Sequence, residues 1–421
     1  MNQLIANLNH PDAEVRLSSL QKIKEQIDSG ACEATAPGND VNNHIHTTYS
    51  FSPYSPTMAV YMAYRAGLKT AGIMDHDSIS GAREFIKAAE IMGVMSTIGI
   101  ECRVDMSKTV LGNRRYNNPD QMGVAYMALH GIPHQNIDTV TEFFRPFAKA
   151  RGERNRKMTD KINALLAAKN ISIDYDNDVL PLSLSDIGGS VTERHLLYAL
   201  SLKLIDTFGK GQAIVDFCSD INVKLSPKIK DFLLDCDNDF YAYDLLGALK
   251  GELVEQIYVD ATDECPNVCD VLELSNKIGS ISAYAYLGDV GQSVTGDKKT
   301  QSFEDSYLDE LFVLLKDLSF SAVTYMPSRN TPEQLKRIRE LCSMHELFEI
   351  SGEDINSPRQ KFICMAQRAP EFAHLYTSTM ALIGHEKAAT KNIEAAMFGA
   401  KAITKTPSLI KRTEEYAGMY I

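Results

Sequence analysis

The sequence predicts an α/β fold in which parallel strands are joined by helices. Two observations carry this prediction: short apolar stretches recur from Val41 onwards, and helical patterns separate them along most of the chain. Strands that alternate with helices at this spacing pair in parallel through right-handed crossovers, as they do in α/β barrels. In such barrels the functional side chains lie at the C-terminal ends of the strands.

The individual elements follow from apolar periodicity and from helix-start signals. Pro56, for example, begins a helix that runs to about residue 66, and a second helix is expected at 79–92. The strands are expected at 41–46, 70–75, 96–101 and 124–132, and then at 278–286, 322–326 and 347–350.

A long helical stretch interrupts the strand pattern, and helical segments flank the pattern at both ends. The chain is therefore predicted to be organised as an N-terminal helical extension with its linker (1–40), the first part of the barrel (41–139), a helical insertion (140–270), the second part of the barrel (271–385) and a C-terminal helical tail that packs on the outside (386–421).

The composition argues against several classes of function. The net charge of −12 disfavours general binding of nucleic acid polymers or anionic membranes, although a small basic pocket is compatible with it. No apolar run of about 18 residues is present, and the N-terminus has no basic segment followed by an apolar one, so we expect neither a membrane span nor a signal peptide. The eight cysteines are scattered without a CxxC pair, which favours reduced thiols in a cytoplasmic protein.

The first predicted strand ends with two histidines, His44 and His46. Residues at i and i+2 on a strand point to the same face, so the two imidazoles are able to share one metal ion. A His-x-His pair alone is more often structural than a pair of ligands. Here Asp75, His76 and Glu101 also fall at the C-terminal ends of predicted strands, where the side chains of a parallel barrel converge.

Four separated motifs, together with Arg194-His195 in the insertion, carry a family resemblance. They are His44-x-His46, Asp75-His76-Asp77-Ser78, Gly99-Ile100-Glu101 and Gly352-Glu353-Asp354. In this order they resemble the PHP family of metal-dependent phosphoesterases, named for polymerase and histidinol phosphatase, and in particular the subfamily with a helical insertion. The resemblance covers about residues 41–360 and implies a distorted seven-stranded β/α barrel with up to three metal ions at the strand C-terminal ends.

The resemblance implies that the first metal site is intact and that it consists of His44, His46, Glu101 and Asp354. Two imidazoles and two carboxylates suit Zn²⁺, Mn²⁺ or Fe²⁺. The family's ligands for the second and third sites are replaced, except for His76, by Phe51, Tyr126, Tyr286 and Asn356. We therefore expect one divalent metal ion, with the second and third sites lost. His130 is an alternative ligand if the alignment of the fourth strand slips.

Further roles follow from the same resemblance. Arg194 and His195 would contact the substrate phosphate, and Arg359 is a second candidate, because a guanidinium binds phosphate with two hydrogen bonds. His76 and Asp75 are the candidate catalytic residues: His76 as a general acid or a hydrogen-bonded relic, and Asp75 as its neighbour or as an acceptor that orients a histidine. Three further arginines are expected to form a solvated helix face, with the alternative that one of them turns inward, namely Arg151, Arg154 and Arg156.

Three hypotheses about function remain open at this point. The first is a metal-dependent phosphoesterase that hydrolyses a small phosphorylated metabolite or nucleotide through a metal-activated water. The second is a degenerate relative that binds a ligand with little or no hydrolysis, because aromatic residues stand where metal ligands are expected. The third is one-metal hydrolysis of another bond class, in the manner of amidohydrolases.

Overall fold

Seven strands form one curled sheet in the computed structural model, which describes residues 1–118, 120–289, 302 and 304–419. The strands pair in chain order from β1 to β7. They are β1 (Val41–Ile45), β2 (Thr70–His76), β3 (Met95–Asp105), β4 (Val124–His130), β5 (Ile281–Ala285), β6 (Ala322–Tyr325) and β7 (Phe348–Ser351). The sheet and its covering helices confirm the α/β fold of PHP-barrel type.

One strand departs from the expected parallel arrangement. β4 runs antiparallel to both β3 and β5, while all other neighbours are parallel. The connection from β3 to β4 contains no crossover helix among its described residues, and a connection of that kind joins antiparallel strands. The reversal places the start of β4, with Tyr126 opposite Arg103, at the same end of the sheet as the C-terminal end of β3.

The two outer edges of the sheet meet at the end that carries the sequence motifs. Ile45 at the end of β1 forms a parallel bridge with Ile355, which follows β7. The backbone N–H of His46 donates to the carbonyl of Ile355 at 3.0 Å, and that of Ile355 donates to the carbonyl of His44 at 3.1 Å. This closure brings Asp354 next to the two histidines.

The helices agree with the predicted order of elements. The α-helices are α1 (Asn2–Ala6), α2 (Ala13–Asp28), α3 (Pro56–Arg65), α4 (Ala82–Met92), α5 (Ile137–Leu166), α6 (Glu193–Phe208), α7 (Gln212–Asp220), α8 (Pro227–Leu234), α9 (Tyr241–Ile257), α10 (Val268–Ile278), α11 (Leu308–Asp317), α12 (Pro332–His345), α13 (Ala373–Lys391), α14 (Ala400–Lys405) and α15 (Leu409–Gly418). Local chemistry explains several of the ends. Ser55 accepts a hydrogen bond from the backbone of Met58 at the start of α3, and Gly93 ends α4 with a φ of 70°.

The apolar side chains form several separate clusters. One cluster covers the barrel strands and the helices around them, and it includes Leu8, Leu20 and Ile23 of the N-terminal extension. A second cluster is built from residues of the insertion between Met158 and Ile257, together with Phe51 of the barrel. The N-terminal extension is also held by a buried ion pair, in which Arg16 Nε donates to Glu84 Oε1 at 2.7 Å.

The C-terminal helices are less peripheral than the sequence suggests. Glu386 on α13 is buried, and its carboxylate accepts hydrogen bonds from the hydroxyl of Thr97 at 2.6 Å and from the backbone of Ile98 at 2.8 Å. Thr379 on the same helix accepts from the amide of Asn43 on β1 at 2.8 Å. The expectation that residues 386–421 pack on the outside is therefore wrong for the end of α13, where Glu386, Ala388 and Ala389 are buried.

A buried carboxyl beyond the end of β5 is expected to make stability depend on pH. Glu304 is 0% exposed and accepts hydrogen bonds from Tyr284 and from the backbones of Leu287 and Gly288. Burial raises the pKa of this carboxyl from 4.5 to about 7. The folded state therefore holds the proton to higher pH than the unfolded state, and the free energy of unfolding falls as pH rises from about 4.5 to about 7.

The matched variant is Glu304→Gln, which keeps the shape and does not ionise. Relative to this variant, the wild type is expected to lose stability on the order of 3 kcal/mol across that window. Denaturant unfolding of both proteins at several pH values measures the difference. A difference that does not change with pH would contradict the assignment.

Candidate metal centre

Three potential ligands meet at the ends of β1 and β2, where Glu101 of β3 pairs with the last residue of β2. His44 is on β1, His46 follows it, and Glu101 is on β3. The Nε2 atoms of His44 and His46 lie 3.2 Å apart, and Glu101 Oε2 lies 3.4 Å from His44 Nε2 and 3.9 Å from His46 Nε2. One ligand atom from each of the three residues lies within 4.8 Å of the others. All three side chains are largely shielded from solvent.

Two further residues extend the cluster. Asp354 Oδ1 lies 3.1 Å from His46 Nε2, and His76 Nδ1 lies 3.2 Å from Glu101 Oε2. Asn356 donates a hydrogen bond to Asp354 Oδ1 at 2.6 Å, which orients that carboxylate. The structure thus brings together the four residues of the predicted first site and adds His76 beside them.

The donor set fits a divalent cation. Two imidazole nitrogens that bind one zinc ion tetrahedrally, each at about 2.0–2.1 Å, lie roughly 3.3 Å apart. The Nε2 atoms of His44 and His46 have this separation, and a carboxylate oxygen approaches each of them at a similar distance. Two nitrogens and two oxygens in this arrangement suit Zn²⁺, Mn²⁺ or Fe²⁺.

A buried hydrogen-bond chain holds His46 in the orientation that metal binding requires. Asp75 accepts from the backbone N–H of Thr47 at 2.7 Å, from its hydroxyl at 2.6 Å and from the hydroxyl of Ser50 at 2.6 Å. Ser50 Oγ lies 3.3 Å from His46 Nδ1. Because the Ser50 proton is given to Asp75, Ser50 accepts the Nδ1–H of His46, and Nε2 keeps its lone pair for the metal.

Neither Thr47 nor Ser50 has a role that was predicted from the sequence. The available signal was the position of Ser50, four residues after His46 in a turn that follows the strand. Asp75, one of the predicted catalytic residues, lies in this supporting chain. The arrangement matches the alternative reading, in which Asp75 orients a histidine, and its catalytic role stays a prediction.

The hydroxyl of Ser50 gives a direct test of the supporting chain. Ser50→Ala removes the acceptor for His46 Nδ1, and loss of such an outer partner typically weakens metal binding by about 10–100-fold. We expect the apparent dissociation constant for Mn²⁺ or Zn²⁺ to rise within that range in a competition titration against a chromophoric chelator. Ser52→Ala is the control, because Ser52 is also buried but its hydroxyl accepts a hydrogen bond from the backbone N–H of Tyr54 instead. Equal affinities in the two variants would contradict the role of Ser50.

Burial and neighbouring charges shift the pKa values of the groups in the centre. Burial lowers the pKa of His76 to about 3. Burial alone would raise the pKa of Glu101, but the neighbouring His76 and His44 outweigh it and lower this pKa to about 2. The pKa of Asp354 is likewise held well below its ordinary value against the effect of burial, by His46, His44 and Arg194. Both carboxyl groups are therefore ionised at neutral pH, as metal ligands must be.

The residues that replace the other family ligands lie in different surroundings. Phe51 packs into the insertion, with its ring centroid 5.0 Å from that of His195. Tyr286 donates its hydroxyl to Asp305 at 2.7 Å, and Tyr126 has its ring centroid 6.1 Å from that of His76. His130 is buried, and neither of its ring nitrogens has a hydrogen-bond partner within the described part of the chain.

The three residues predicted to contact phosphate differ in their burial and in their hydrogen-bond partners. Arg194 is half-buried and makes no hydrogen bond or ion pair with any residue that the structure describes, and its charge acts on Asp354. His195 is buried at the start of α6, where its Nδ1 accepts from the backbone of Thr192 at 3.0 Å. Arg359 donates to both carboxylate oxygens of Asp244, at 2.6 and 2.7 Å.

The prediction of a solvated arginine face is wrong for two of its three members. Arg151 and Arg154 are 4% and 5% exposed and form ion pairs with buried acids. Arg151 pairs with Asp77 in the turn after β2 and Arg154 with Glu193 at the start of α6, so burial with acidic partners replaces solvation. Arg156 alone fits the expectation, since its side chain is 42% exposed and pairs with Asp176.

The fold and the ligand cluster define a barrel protein with a candidate metal centre at its strand ends. Residues 42–215 match the family model of the PHP domain, which supports the resemblance to the PHP family. No curated protein matches the sequence.

Two solved structures are similar to the chain. A protein from Bifidobacterium adolescentis that carries the name of a metal-dependent phosphoesterase has 18% identity and a TM-score of 0.50, over 79% of this chain and 94% of its own. An amidohydrolase from Chromobacterium violaceum, solved with sulfate and without metal, has 15% identity and a TM-score of 0.48, over 77% of this chain and 90% of its own. At these identities the likeness concerns the fold alone.

None of the helices in the described part of the chain combines the length and the apolar character needed to cross a membrane.

Proposed function

We propose that this protein is a metal-dependent phosphoesterase that hydrolyses a small phosphorylated metabolite or nucleotide. The observation that supports the proposal most strongly is the convergence of His44, His46, Glu101 and Asp354. A divalent ion bound there would lower the pKa of a coordinated water and neutralise phosphate charge. The Bifidobacterium protein that shares the fold carries the name of this activity.

The chain's own residues would divide the remaining tasks. Arg194, which makes no hydrogen bond or ion pair with another described residue and whose charge lowers the pKa of Asp354, is assigned to the substrate phosphate, which it would bind with two hydrogen bonds. Arg359 would first have to leave Asp244. His76 is the candidate for proton transfer, because it lies 3.2 Å from Glu101, and with a pKa of about 3 its neutral imidazole would first accept a proton.

The first experiment measures metal content by elemental mass spectrometry on protein purified without chelator or affinity nickel. About one equivalent per chain is expected, followed by turnover of phosphate monoesters when Mn²⁺ is added. Arg194→Gln should raise KM for these substrates, and Arg156→Gln is the matched control on the surface of the insertion. Bound metal without turnover of any phosphate ester would refute the enzymatic proposal.

One observation favours a second candidate, ligand binding with little or no hydrolysis. Phe51, Tyr126, Tyr286 and Asn356 stand at positions where the family places metal ligands, and Tyr286 and Asn356 are engaged with Asp305 and Asp354. Two-metal sites stabilise both the attacking and the leaving oxygens, and that arrangement would be missing. A thermal shift with a phosphorylated ligand but no turnover would select this candidate.

A further inference from the structure

A buried network of charges lies where the insertion meets the barrel, next to the metal centre. Its members in the described part of the chain are Asp77, Arg103, Arg151, Arg154, Glu193 and Glu264, three cations and three anions. They come from β3, from the turn after β2 and from the insertion and its return. The network is outside the donor set of the metal centre, and the proposed mechanism does not use it.

Glu193 is the member that connects the barrel to the insertion most directly. Its Oε1 lies 2.6 Å from Arg154 Nη1 and 3.4 Å from Arg103 Nη1. Arg103 is on β3, two residues after the candidate ligand Glu101. Arg154 is on α5, where its Nε donates to the carbonyl of Val259 at 2.5 Å. One carboxylate is thus held by a cation from each of the two parts.

Glu193 stands at the start of α6, directly before Arg194. Arg194 makes no hydrogen bond or ion pair with another residue that the structure describes. The preceding segment is also anchored, because Ser190 donates its hydroxyl to the carbonyl of His76 at 2.7 Å. The first turn of α6 is therefore tied to the strand ends that carry the metal centre.

Stability alone does not explain such a network. Replacing buried ion pairs by well-packed apolar residues is often neutral or stabilising, whereas buried charge pairs in some proteins specify one geometry. Here the geometry that the network would specify is the distance and direction of the Arg194 guanidinium relative to the metal centre. A long arginine side chain binds an oxyanion well only if its backbone is held in place.

We propose that Glu193 is a positioning residue: held by Arg103 and Arg154, it fixes the first turn of α6 so that Arg194 faces the metal centre and binds the substrate phosphate. This inference rests on the proposed function only in its assignment of Arg194 to phosphate. Glu193 acts through Arg194, so the effect of changing Glu193 on phosphate binding should vanish when Arg194 is removed.

A double-mutant cycle tests the coupling. The affinity of the Mn²⁺-loaded protein for inorganic phosphate is measured by calorimetry for wild type, Glu193→Gln, Arg194→Gln and the double variant. Glu193→Gln is expected to weaken phosphate binding by about tenfold, since a charge-assisted hydrogen bond is lost through misplacement. In the Arg194→Gln background the same change should have little effect. Metal content should be unchanged in all four proteins.

Arg154→Lys is a second variant in case Glu193→Gln folds poorly; it keeps the charge but loses the planar fork, and we expect a smaller weakening in the same direction. Arg156→Gln, which removes an exposed pair on the same helix, is the control and should bind phosphate like wild type. Wild-type affinity in Glu193→Gln, or an equal loss with and without Arg194, would overturn this inference alone. Absence of phosphate binding in the wild type would overturn the phosphate subsite and, with it, the proposed function.

Discussion

His46→Ala is expected to abolish metal binding and, with it, any phosphoesterase activity. His46 Nε2 lies 3.2 Å from His44 Nε2 and 3.1 Å from Asp354 Oδ1, so it is the donor shared by the two sides of the centre. Loss of a hydrogen-bond partner behind a ligand typically costs about 10–100-fold in metal affinity, and loss of the ligand itself should exceed that range. Elemental analysis of the purified variant should find well below one equivalent.

The fold should survive this substitution, because the apolar clusters of the barrel and the insertion do not depend on His46. Circular dichroism and the elution volume should match wild type, and His44→Ala and Asp354→Ala should behave alike. His10→Ala is the matched control, since this imidazole is exposed in the N-terminal region. Wild-type metal content in His46→Ala would show that the ion is bound elsewhere. Removal of metal from the wild type by a chelator should reproduce the inactive state.

Arg151→Met is expected to cause the largest loss of stability among the substitutions considered for this protein. Arg151 is 4% exposed and pairs with Asp77, whose carboxylate is equally buried. Removing one partner of such a pair leaves a buried charge without compensation and typically costs about 3–5 kcal/mol. Asp77 also has a φ of 52°, a backbone conformation that costs energy outside glycine. Denaturant unfolding of the variant measures the loss.

Two comparisons show whether the loss comes from the unpaired charge. Asp77→Asn added to Arg151→Met should recover much of the stability, because no charge is then left buried alone. Arg83→Met is the matched control: Arg83 pairs with Asp138 at 2.9 Å, but both side chains are mostly exposed, and we expect stability close to that of wild type. An equal loss in Arg83→Met and Arg151→Met would contradict the argument.

Local signals explain why much of this protein could be predicted from the sequence. The strands that carry His44, His76 and Glu101 follow from short apolar runs, although β3 continues to Asp105 beyond the predicted end at Glu101, and the helix that begins at Pro56 follows from its start signal. These features depend on neighbours in the chain, so periodicity is sufficient to find them. The convergence of His44, His46 and Glu101 then follows from the parallel pairing of β1, β2 and β3.

Other features depend on contacts between residues far apart in the chain. Nothing in the pattern of 124–132 distinguishes a parallel strand from the antiparallel β4, because both have the same apolar run. The arginines of α5 show the same limit: Arg151, Arg154 and Arg156 look alike in sequence, but their partners lie at Asp77, Glu193 and Asp176.

The sequence by itself therefore determined the order of strands and helices, the PHP resemblance and the identity of the metal-ligand candidates. The tertiary structure decided the reversal of β4, the burial of α13 against the strands, the chain from Asp75 through Ser50 to His46, and the charge network that surrounds Glu193. The physical reason is that hydrogen bonds and ion pairs between distant residues form only where packing brings them together, whereas periodicity and capping act within a few residues of the chain.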